Sequence, residues 1–294
     1  MSTRDRPSPY LDREPAEGGS LRLRHPEREQ RVYEATELRE IDRLARDEFG
    51  LPVLVLMENA AIGAARVALE MLGATRGGGA QRPLTVVAGG GHNGGDALAL
   101  ARHAANAIGT QRVRVLLDRA TGSLEGPSGL HARVCAQMGL RVDVIAGDEP
   151  LMSEGVLVDG LLGTGLRGAP REKQSSAIRW INRGRHAGAS VLSLDLPSGM
   201  LADTGEAPGA CVHADRTATF AGLKAGFLAG GAGAAELVGE VEVVGIGVPE
   251  TLLERFGRPL RGGPGRSADP AERGERGERG RTGGHSPGGG SPGR

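Results

Sequence analysis

The chain has 294 residues with 36 basic and 36 acidic side chains, so its formal net charge at neutral pH is zero. No field of one sign exists to attract nucleic acid or an anionic membrane, and neither is expected as a partner. Hydrophobic residues make up 38% of the chain but aromatic residues only 2%. A core of Val, Leu, Ile and Ala is typical of a parallel sheet covered by helices. With only Cys135 and Cys211, a reducing compartment is favoured over a disulfide framework.

Both ends of the chain lack the pattern of a folded domain. Residues 1–32 are charged, with no apolar stretch of the kind a signal peptide needs. Residues 258–294 are rich in Gly, Pro and Arg and cannot bury enough apolar surface to offset the entropy of ordering. No apolar run approaches the length of about 18 residues that a membrane span requires. We therefore expect disordered extensions at 1–32 and 258–294, one domain over 33–257, and a cytoplasmic location.

Helices and strands alternate along residues 33–257. The first helix is predicted behind Thr36 as its N-cap and ends at Gly50, because apolar residues between them recur at helical spacing. Further helices are predicted over about 57–72, 97–109, 127–138 and 171–187, and strands over 84–89, 113–117, 156–160, 191–195, 218–222 and 241–247. This alternation indicates an α/β, three-layer Rossmann-like fold whose mostly parallel sheet has helices on both faces.

Three polar, glycine-rich segments each follow a predicted strand: GGGHNGGD (89–96), DGLLGTGLRG (159–168) and DLPSG (195–199). In an open parallel sheet, ligands bind outside the carboxyl ends of the strands. The three segments are therefore predicted to meet in one crevice.

The first segment contains Gly89, Gly91 and Gly94 in the G-x-G-x-x-G pattern, and Asp118 follows where a ribose-binding acid would stand. The simplest interpretation is a dinucleotide-dependent dehydrogenase. Asp96 argues against it, because a carboxylate at the helix entry disfavours a bound pyrophosphate, and no hydride-transfer site is recognisable. Alternatively, Asp96 is a first-turn acid that complements the helix dipole.

The second segment runs through Gly163–Arg167, whose N–H groups could form an anion nest with Arg167 as a phosphate clamp. A glycine-rich turn with a solvated arginine is the alternative. Asp159 ends an apolar strand, where a carboxylate must be paired or coordinated.

In the third segment, Asp195 either caps a turn or acts as a general acid or base. The oxygens of Asn93, Asp159 and Ser198 could together hold a hard cation. Lys224 could reach the crevice or lie at the surface.

In family order, these segments together resemble the NAD(P)H-hydrate epimerase family, the YjeF N-terminal domain. The similar stretches are ELREIDRLARDEFGLP (37–52), LMENAA (56–61), GGGHNGGDAL (89–98), VDGLLGTGL (158–166), LDLPSGMLADTG (194–205), ADRTATFAGLKAG (214–226) and VEVVGIGVP (241–249). The resemblance implies an isomerase that interconverts the R and S forms of hydrated NADH and NADPH to repair the nicotinamide cofactor. It also implies a homodimer. Many relatives carry a dehydratase domain in the same chain. Since residues 258–294 are expected to be a disordered tail, a separate NAD(P)H-hydrate dehydratase is expected to act on the product here.

The resemblance also implies site residues. Those matching the family's substrate-binding positions are His92, Asn93, Gly94, Gly95, Asp96, Gly163, Thr164, Gly165, Leu166, Arg167, Gly168, Ala169 and Asp195. Those matching its potassium ligands, for one K⁺ per subunit, are Asn93, Asp159 and Ser198. We infer Asp195 as the catalytic residue, which would move a proton during ring opening or water loss.

Two departures from the family pattern keep a second hypothesis open. His92 stands where the family more often has Asn, and Ala61 replaces a common Gly. If His92 blocks the substrate, the domain would be a non-catalytic ligand-binding or scaffold module. The enzyme is favoured because a scaffold has no need of the complete set that is retained here: Asn93, Asp96, Asp159, Asp195 and Ser198.

Overall fold

A sheet of eight parallel strands forms the centre of the protein. The structure is a computed structural model and describes residues 21–25, 29–73 and 82–260. In chain order the strands are β1 (Arg22–Leu23), β2 (Arg31–Tyr33), β3 (Leu84–Ala88), β4 (Val113–Leu117), β5 (Arg141–Val144), β6 (Val156–Gly160), β7 (Ser190–Leu194), β8 (Arg216–Phe220), β9 (Leu223–Lys224), β10 (Glu240–Val244) and β11 (Arg258–Pro259). The order in the large sheet is β1-β10-β8-β7-β6-β3-β4-β5, and β11-β2-β9 form a small second sheet.

Helices cover both faces of the large sheet. They are α1 (Ala35–Phe49), α2 (Val53–Met71), α3 (His92–Ile108), α4 (Gly126–Gln137), α5 (Glu172–Ala187), α6 (Gly226–Ala229), α7 (Gly231–Val238) and α8 (Glu250–Leu253). Val86 of β3 packs in the cluster that contains Leu98 of α3, whereas the next residue, Val87, packs with Ile178 of α5. Successive side chains of a strand point to opposite faces, and both faces are covered, so β3 and β6 are buried at every position. The predicted three-layer α/β fold is confirmed.

The predicted N-cap of the first helix is wrong, although its end is confirmed. The helix begins at Ala35, and the Glu37 carboxylate accepts the Glu34 N–H at 2.8 Å, which caps the helix ahead of Thr36. Gly50 has φ 65° and ends the helix in the left-handed conformation.

Ordered structure extends beyond the predicted domain bounds 33–257. Strand β1 lies within the segment predicted as disordered and pairs with β10 through Arg22 and Leu23, and β11 pairs with β2 after residue 257. Arg24, just after β1, contacts Glu240 and the buried Glu242, so charge pairing holds this short edge strand. The remainder of both predicted extensions, 1–20, 26–28 and 261–294, lies outside the described residues.

The small sheet and helices α6–α8 were not predicted from the sequence, because two- and three-residue strands carry no periodicity. Strand β9 nevertheless matters for the site, since it places Lys224 beside the carboxyl end of β8. None of the described helices is long and apolar enough to cross a membrane.

Candidate active site

A cleft of about 890 Å³ opens at the carboxyl ends of β3, β6 and β7. All three polar segments contribute to it: His92, Asn93 and Asp96 from the first, the whole run 163–169 from the second, and Asp195 from the third. Helix α1 closes another side with Asp42. The structure therefore brings the three segments together, because parallel strands end at one edge of the sheet.

The glycines of the first segment allow two loops to pack backbone against backbone. A Cβ on Gly94 would stand 1.8 Å from the carbonyl oxygen of Gly89, and a Cβ on Gly89 would stand 2.0 Å from that of Leu161. Only glycine fits at such distances. Gly94 and Gly95 thus lie behind the cleft wall, and the G-x-G-x-x-G pattern here serves loop packing.

Asp195 faces the cleft from a strained turn. Its φ is 66°, one of two positive values among the described non-glycine residues, and its N–H donates to the carbonyl of Ala218 at 2.8 Å. Left-handed backbone is unfavourable for residues with a Cβ and clusters at functional sites. The turn directs the carboxylate toward the side chain of Lys224.

Lys224 and Asp195 form a buried ion pair. The Lys224 Nζ lies 2.5 Å from Asp195 Oδ1, and the lysine side chain is 1% exposed. The same Nζ donates to the carbonyls of Phe220 at 2.9 Å and Gly222 at 3.3 Å. All three ammonium protons therefore have acceptors, which fixes the lysine and, through it, the carboxylate.

The sequence left open whether Lys224 reaches the crevice, and the structure places it on the cleft wall. Its burial depends on the pairing of β9 with β2, a contact between distant parts of the chain. The only signal in the sequence is its place in the segment ADRTATFAGLKAG (214–226).

Asp96 lines the cleft in different surroundings. Helix α3 begins at His92, so Asp96 lies beyond its first turn, which contains no acid; the interpretation as a first-turn acid is wrong. The residue is 8% exposed. Burial, followed by the negative charges of Asp195 and Asp42, holds the pKa of the Asp96 carboxyl well above its ordinary range, and Lys224 only partly opposes this.

Beneath the cleft, Asn93, Asp159 and Ser198 meet around Leu162. Asn93 Nδ2 donates to the Leu162 carbonyl at 2.7 Å, and the Ser198 Oγ accepts the Leu162 N–H at 2.8 Å and donates to Asp159 Oδ1 at 2.5 Å. Asp159 is fully buried and also accepts bonds from Ser193 Oγ and the Ser198 N–H.

Burial raises the pKa of Asp159, and its hydrogen bonds, first that from Ser198, oppose the increase. Within residues 21–25, 29–73 and 82–260, no basic side chain pairs with this carboxylate, and Asn93 Oδ1 is buried without a hydrogen-bond partner. A buried carboxylate without a cation and an unpaired amide oxygen are both suited to bind a hard cation.

Asp118, the candidate ribose-binding residue, forms an ion pair with its neighbour Arg119. Its two carboxylate oxygens accept from Arg119 Nε at 2.7 Å and Nη2 at 3.1 Å. The guanidinium of Arg119 lies over Gly90, where a Cβ would stand 2.4 Å from its Cζ. The arrangement differs from a dehydrogenase, in which this acid is free to bind the ribose.

Arg167 is exposed at the cleft mouth, so the choice between an anion clamp and a solvated side chain stays open. Sequence reasoning missed several other charged residues that line the cleft, among them Asp42 on α1 and Arg119 after β4. Both lie on elements that meet the three segments only in the folded chain.

Comparison with known proteins identifies the domain. The profile described as "YjeF-related protein N-terminus" matches residues 53–226. NAD(P)H-hydrate epimerase of Rhodopirellula baltica is 37% identical over 224 residues, covering 74% of this chain and 85% of the relative. NAD(P)H-hydrate epimerase of Pirellula staleyi is 36% identical and is covered over 97% of its length.

Two further matches are a longer bifunctional relative and a solved structure of the same fold. The bifunctional NAD(P)H-hydrate repair enzyme Nnr of Moorella thermoacetica is 34% identical, but this chain spans only 42% of it. The crystal structure of yeast ynu0 superposes with a TM-score of 0.64 at 18% identity, covering 78% of this chain and 94% of the yeast chain, and supports the fold alone. On the profile match and the two epimerases, the chain belongs to the family of proteins related to the YjeF N-terminus.

Proposed function

We propose that the protein is an isomerase that interconverts the R and S forms of hydrated NADH and NADPH and so repairs damaged nicotinamide cofactor. The observation that carries the proposal is the Asp195 carboxylate, which faces the cleft in an ion pair with buried Lys224. The relatives that this chain covers over most of their length are NAD(P)H-hydrate epimerases, which supports the same activity here.

Epimerisation inverts the ring carbon that bears the added hydroxyl. In the proposed reaction the hydroxyl is protonated and leaves as water, while the ring-nitrogen lone pair forms an iminium bond to that carbon. Water then adds to the opposite face and gives up a proton. Asp195 is the residue proposed to move the proton, since a carboxylate fixed by a cation is a suitable acid–base group. Its strained turn holds it in place.

The first and second polar segments are proposed to hold the dinucleotide. His92, Asn93 and Asp96 of the first segment and residues 163–169 of the second line the cleft. Backbone N–H groups of such glycine-rich segments can bind phosphate oxygens. Arg167 would add a cation at the mouth of the cleft. His92 lines the cleft beside Asn93, and its ring can still donate a hydrogen bond to the substrate.

A potassium ion is proposed to bind beneath the cleft through Asn93, Asp159 and Ser198. The unpaired Asn93 Oδ1 and the cation-free Asp159 carboxylate support this assignment. When bound, the ion would supply positive potential that fixes the loops and favours a bound anion. The Ser198 hydroxyl, which now bonds Asp159, would present its oxygen as well.

The remaining parts of the proposal concern partners and location. We propose that a separate dehydratase consumes the S form and that the protein acts in the cytoplasm as a homodimer. Free, buried Cys135 and Cys211 are compatible with a reducing compartment.

The test mixes purified protein with the R-hydrate, potassium and an S-specific dehydratase, and follows recovery of NADH. Wild-type protein is expected to exceed the spontaneous rate, and Asp195→Asn to lower kcat by about 10²–10⁴-fold. Asp143→Asn is the control, because that carboxylate lies on β5 and pairs with Arg114, outside the cleft.

Binding of the hydrate is measured in parallel by calorimetry. Asp195→Asn should still bind it. If wild-type protein binds but never exceeds the spontaneous rate, the scaffold hypothesis replaces the enzyme.

A further inference from the structure

The cleft contains two carboxyl groups in contrasting surroundings. Asp195 has a cation at 2.5 Å and accepts the Phe220 N–H at 3.3 Å. Asp96 is more deeply buried, and no hydrogen-bond donor among the described residues reaches its carboxyl. Asp195 therefore has a cation in direct contact, whereas no cation among the described residues is in direct contact with the Asp96 carboxyl.

We propose that Asp96 is a second catalytic residue: it donates the proton to the departing hydroxyl while Asp195 accepts the proton of the incoming water. This inference rests on the proposed function and assigns the acid and the base of that same reaction. Enzymes separate the two roles by giving two acidic groups environments that push their proton affinities apart.

The charges around Asp96 favour its neutral form. Asp195, at the end of β7, and Asp42, on α1, both repel a charge there. Lys224 attracts it, but its ammonium is already bound to Asp195 and two carbonyls. His92 interacts electrostatically with Asp42 and not with Asp96. The pKa of Asp96 is accordingly raised, first by burial.

The helix does not supply the missing stabilisation. Asp96 lies beyond the first turn of α3, where the favourable effect of the helix dipole on an anion has largely fallen off. Its neighbour Gly95 packs against the side chain of Met57 on α2. The raised pKa suits Asp96 to the role of proton donor.

The proton balance of one turnover is simple. The Asp96 O–H bond breaks as its proton passes to the ring hydroxyl, the carbon–oxygen bond breaks and water leaves. The iminium carbon then bonds to a water oxygen, and one proton of that water passes to the Asp195 carboxylate. Before the next turnover in the same direction, the proton returns from Asp195 to Asp96 through water in the cleft. In the reverse direction the roles exchange.

The first arm of the test measures thermal stability against pH and needs no activity. Because the folded-state pKa of Asp96 is raised above its ordinary value near 3.8, the folded state loses stability as pH rises from about 4 toward that raised value. Asp96→Asn removes this loss. We expect its Tm to exceed that of wild type by at least about 2–4 °C at about pH 8 and by less at about pH 5.

Two matched variants accompany it. Asp195→Asn, which deprives buried Lys224 of its anion, should lower Tm. Asp143→Asn, whose carboxylate is paired with Arg114 outside the cleft, should give no pH-dependent gain.

The second arm measures epimerisation. Asp96→Asn should lower kcat by about 10²–10⁴-fold, with hydrate affinity changed by less than about threefold. In wild type, kcat/KM should fall at alkaline pH as Asp96 ionises. The residual kcat/KM of Asp96→Asn should no longer fall at alkaline pH.

The outcomes separate this inference from the proposed function. The role of Asp96 is overturned if Asp96→Asn has the same kcat as wild type, or if its loss of activity lies wholly in hydrate affinity. Neither result contradicts the proposed epimerase activity. A lower Tm for Asp96→Asn at every pH overturns the neutral carboxyl. Absence of epimerisation in wild type overturns the proposed function, yet the stability arm still reports whether Asp96 carries a proton.

Discussion

Asp195 and Lys224 illustrate how a single pair can combine fixed geometry with chemistry. A lysine that is 1% exposed is uncommon in proteins, because the charge loses its hydration. Here the ammonium has one carboxylate and two carbonyl acceptors. A buried ion pair is by itself weak support for stability, so the main effect of these contacts is to fix the orientation of Asp195.

Replacing Lys224 by Met tests this role. The variant leaves Asp195 without its cation and two buried carbonyls without a donor, so the free energy of unfolding should fall by about 3 kcal/mol. Urea denaturation measures the loss, and kcat should fall in the coupled assay. Lys224→Arg, which keeps the charge, should retain more activity than Lys224→Met. Equal activity of Lys224→Met and wild type would show that Asp195 does not depend on the lysine.

The double variant with Asp195→Asn completes a cycle. If the two side chains act as one unit, their effects on stability should depart from additivity by more than about 0.5 kcal/mol.

At the scale of elements, the site depends on the contact between the loops after β3 and β6. Gly89 and Gly94 allow their backbones to approach, and Asn93 then reaches the Leu162 carbonyl at 2.7 Å. The start of α3 is part of this contact. The sequence predicted that helix from residue 97, but it begins at His92, because the glycines are accepted within its first turn where tertiary packing requires them.

Gly94→Ala should disrupt this contact. The added Cβ would meet the Gly89 carbonyl oxygen at 1.8 Å, so the loops must separate. We expect destabilisation of at least about 1–3 kcal/mol in urea denaturation. Gly165→Ala is the matched control within the cleft, because an added Cβ there meets nothing within 4 Å, and its stability should change by less than about 0.5 kcal/mol. Equal stability of the two variants would contradict this account of the loop contact.

At the scale of the whole molecule, three loops from β3, β6 and β7 meet at the buried carboxyl group of Asp159. Asp159 is held by hydroxyl and N–H donors alone within the described ranges. A cation bound there would join all three loops, so its presence should be measurable as stability of the entire domain.

Potassium removal tests this expectation. Exchange of K⁺ for the bulky N-methylglucamine cation should lower the Tm of wild type, because binding to the folded state alone raises stability by RT ln(1 + [L]/Kd). Asn93→Leu, which removes the unpaired amide oxygen, should lose this response. Asn59→Leu is the control: it loses a comparable bond to the Ile246 carbonyl and should keep the response. An identical wild-type Tm in both salts would contradict the potassium site.

The sequence by itself determined the α/β class, the strands β4 and β6 to the residue, and the three polar segments that lie at the cleft, because buried parallel strands and glycine-rich loops leave local patterns. It did not determine β1, β9 or the partners of Asp96 and Lys224. Those depend on contacts between distant parts of the chain, such as β9 with β2 and β1 with β10. Only the tertiary structure decided which carboxyl has a cation and which has none, because burial and charge pairing are properties of the folded chain, and no local pattern records them.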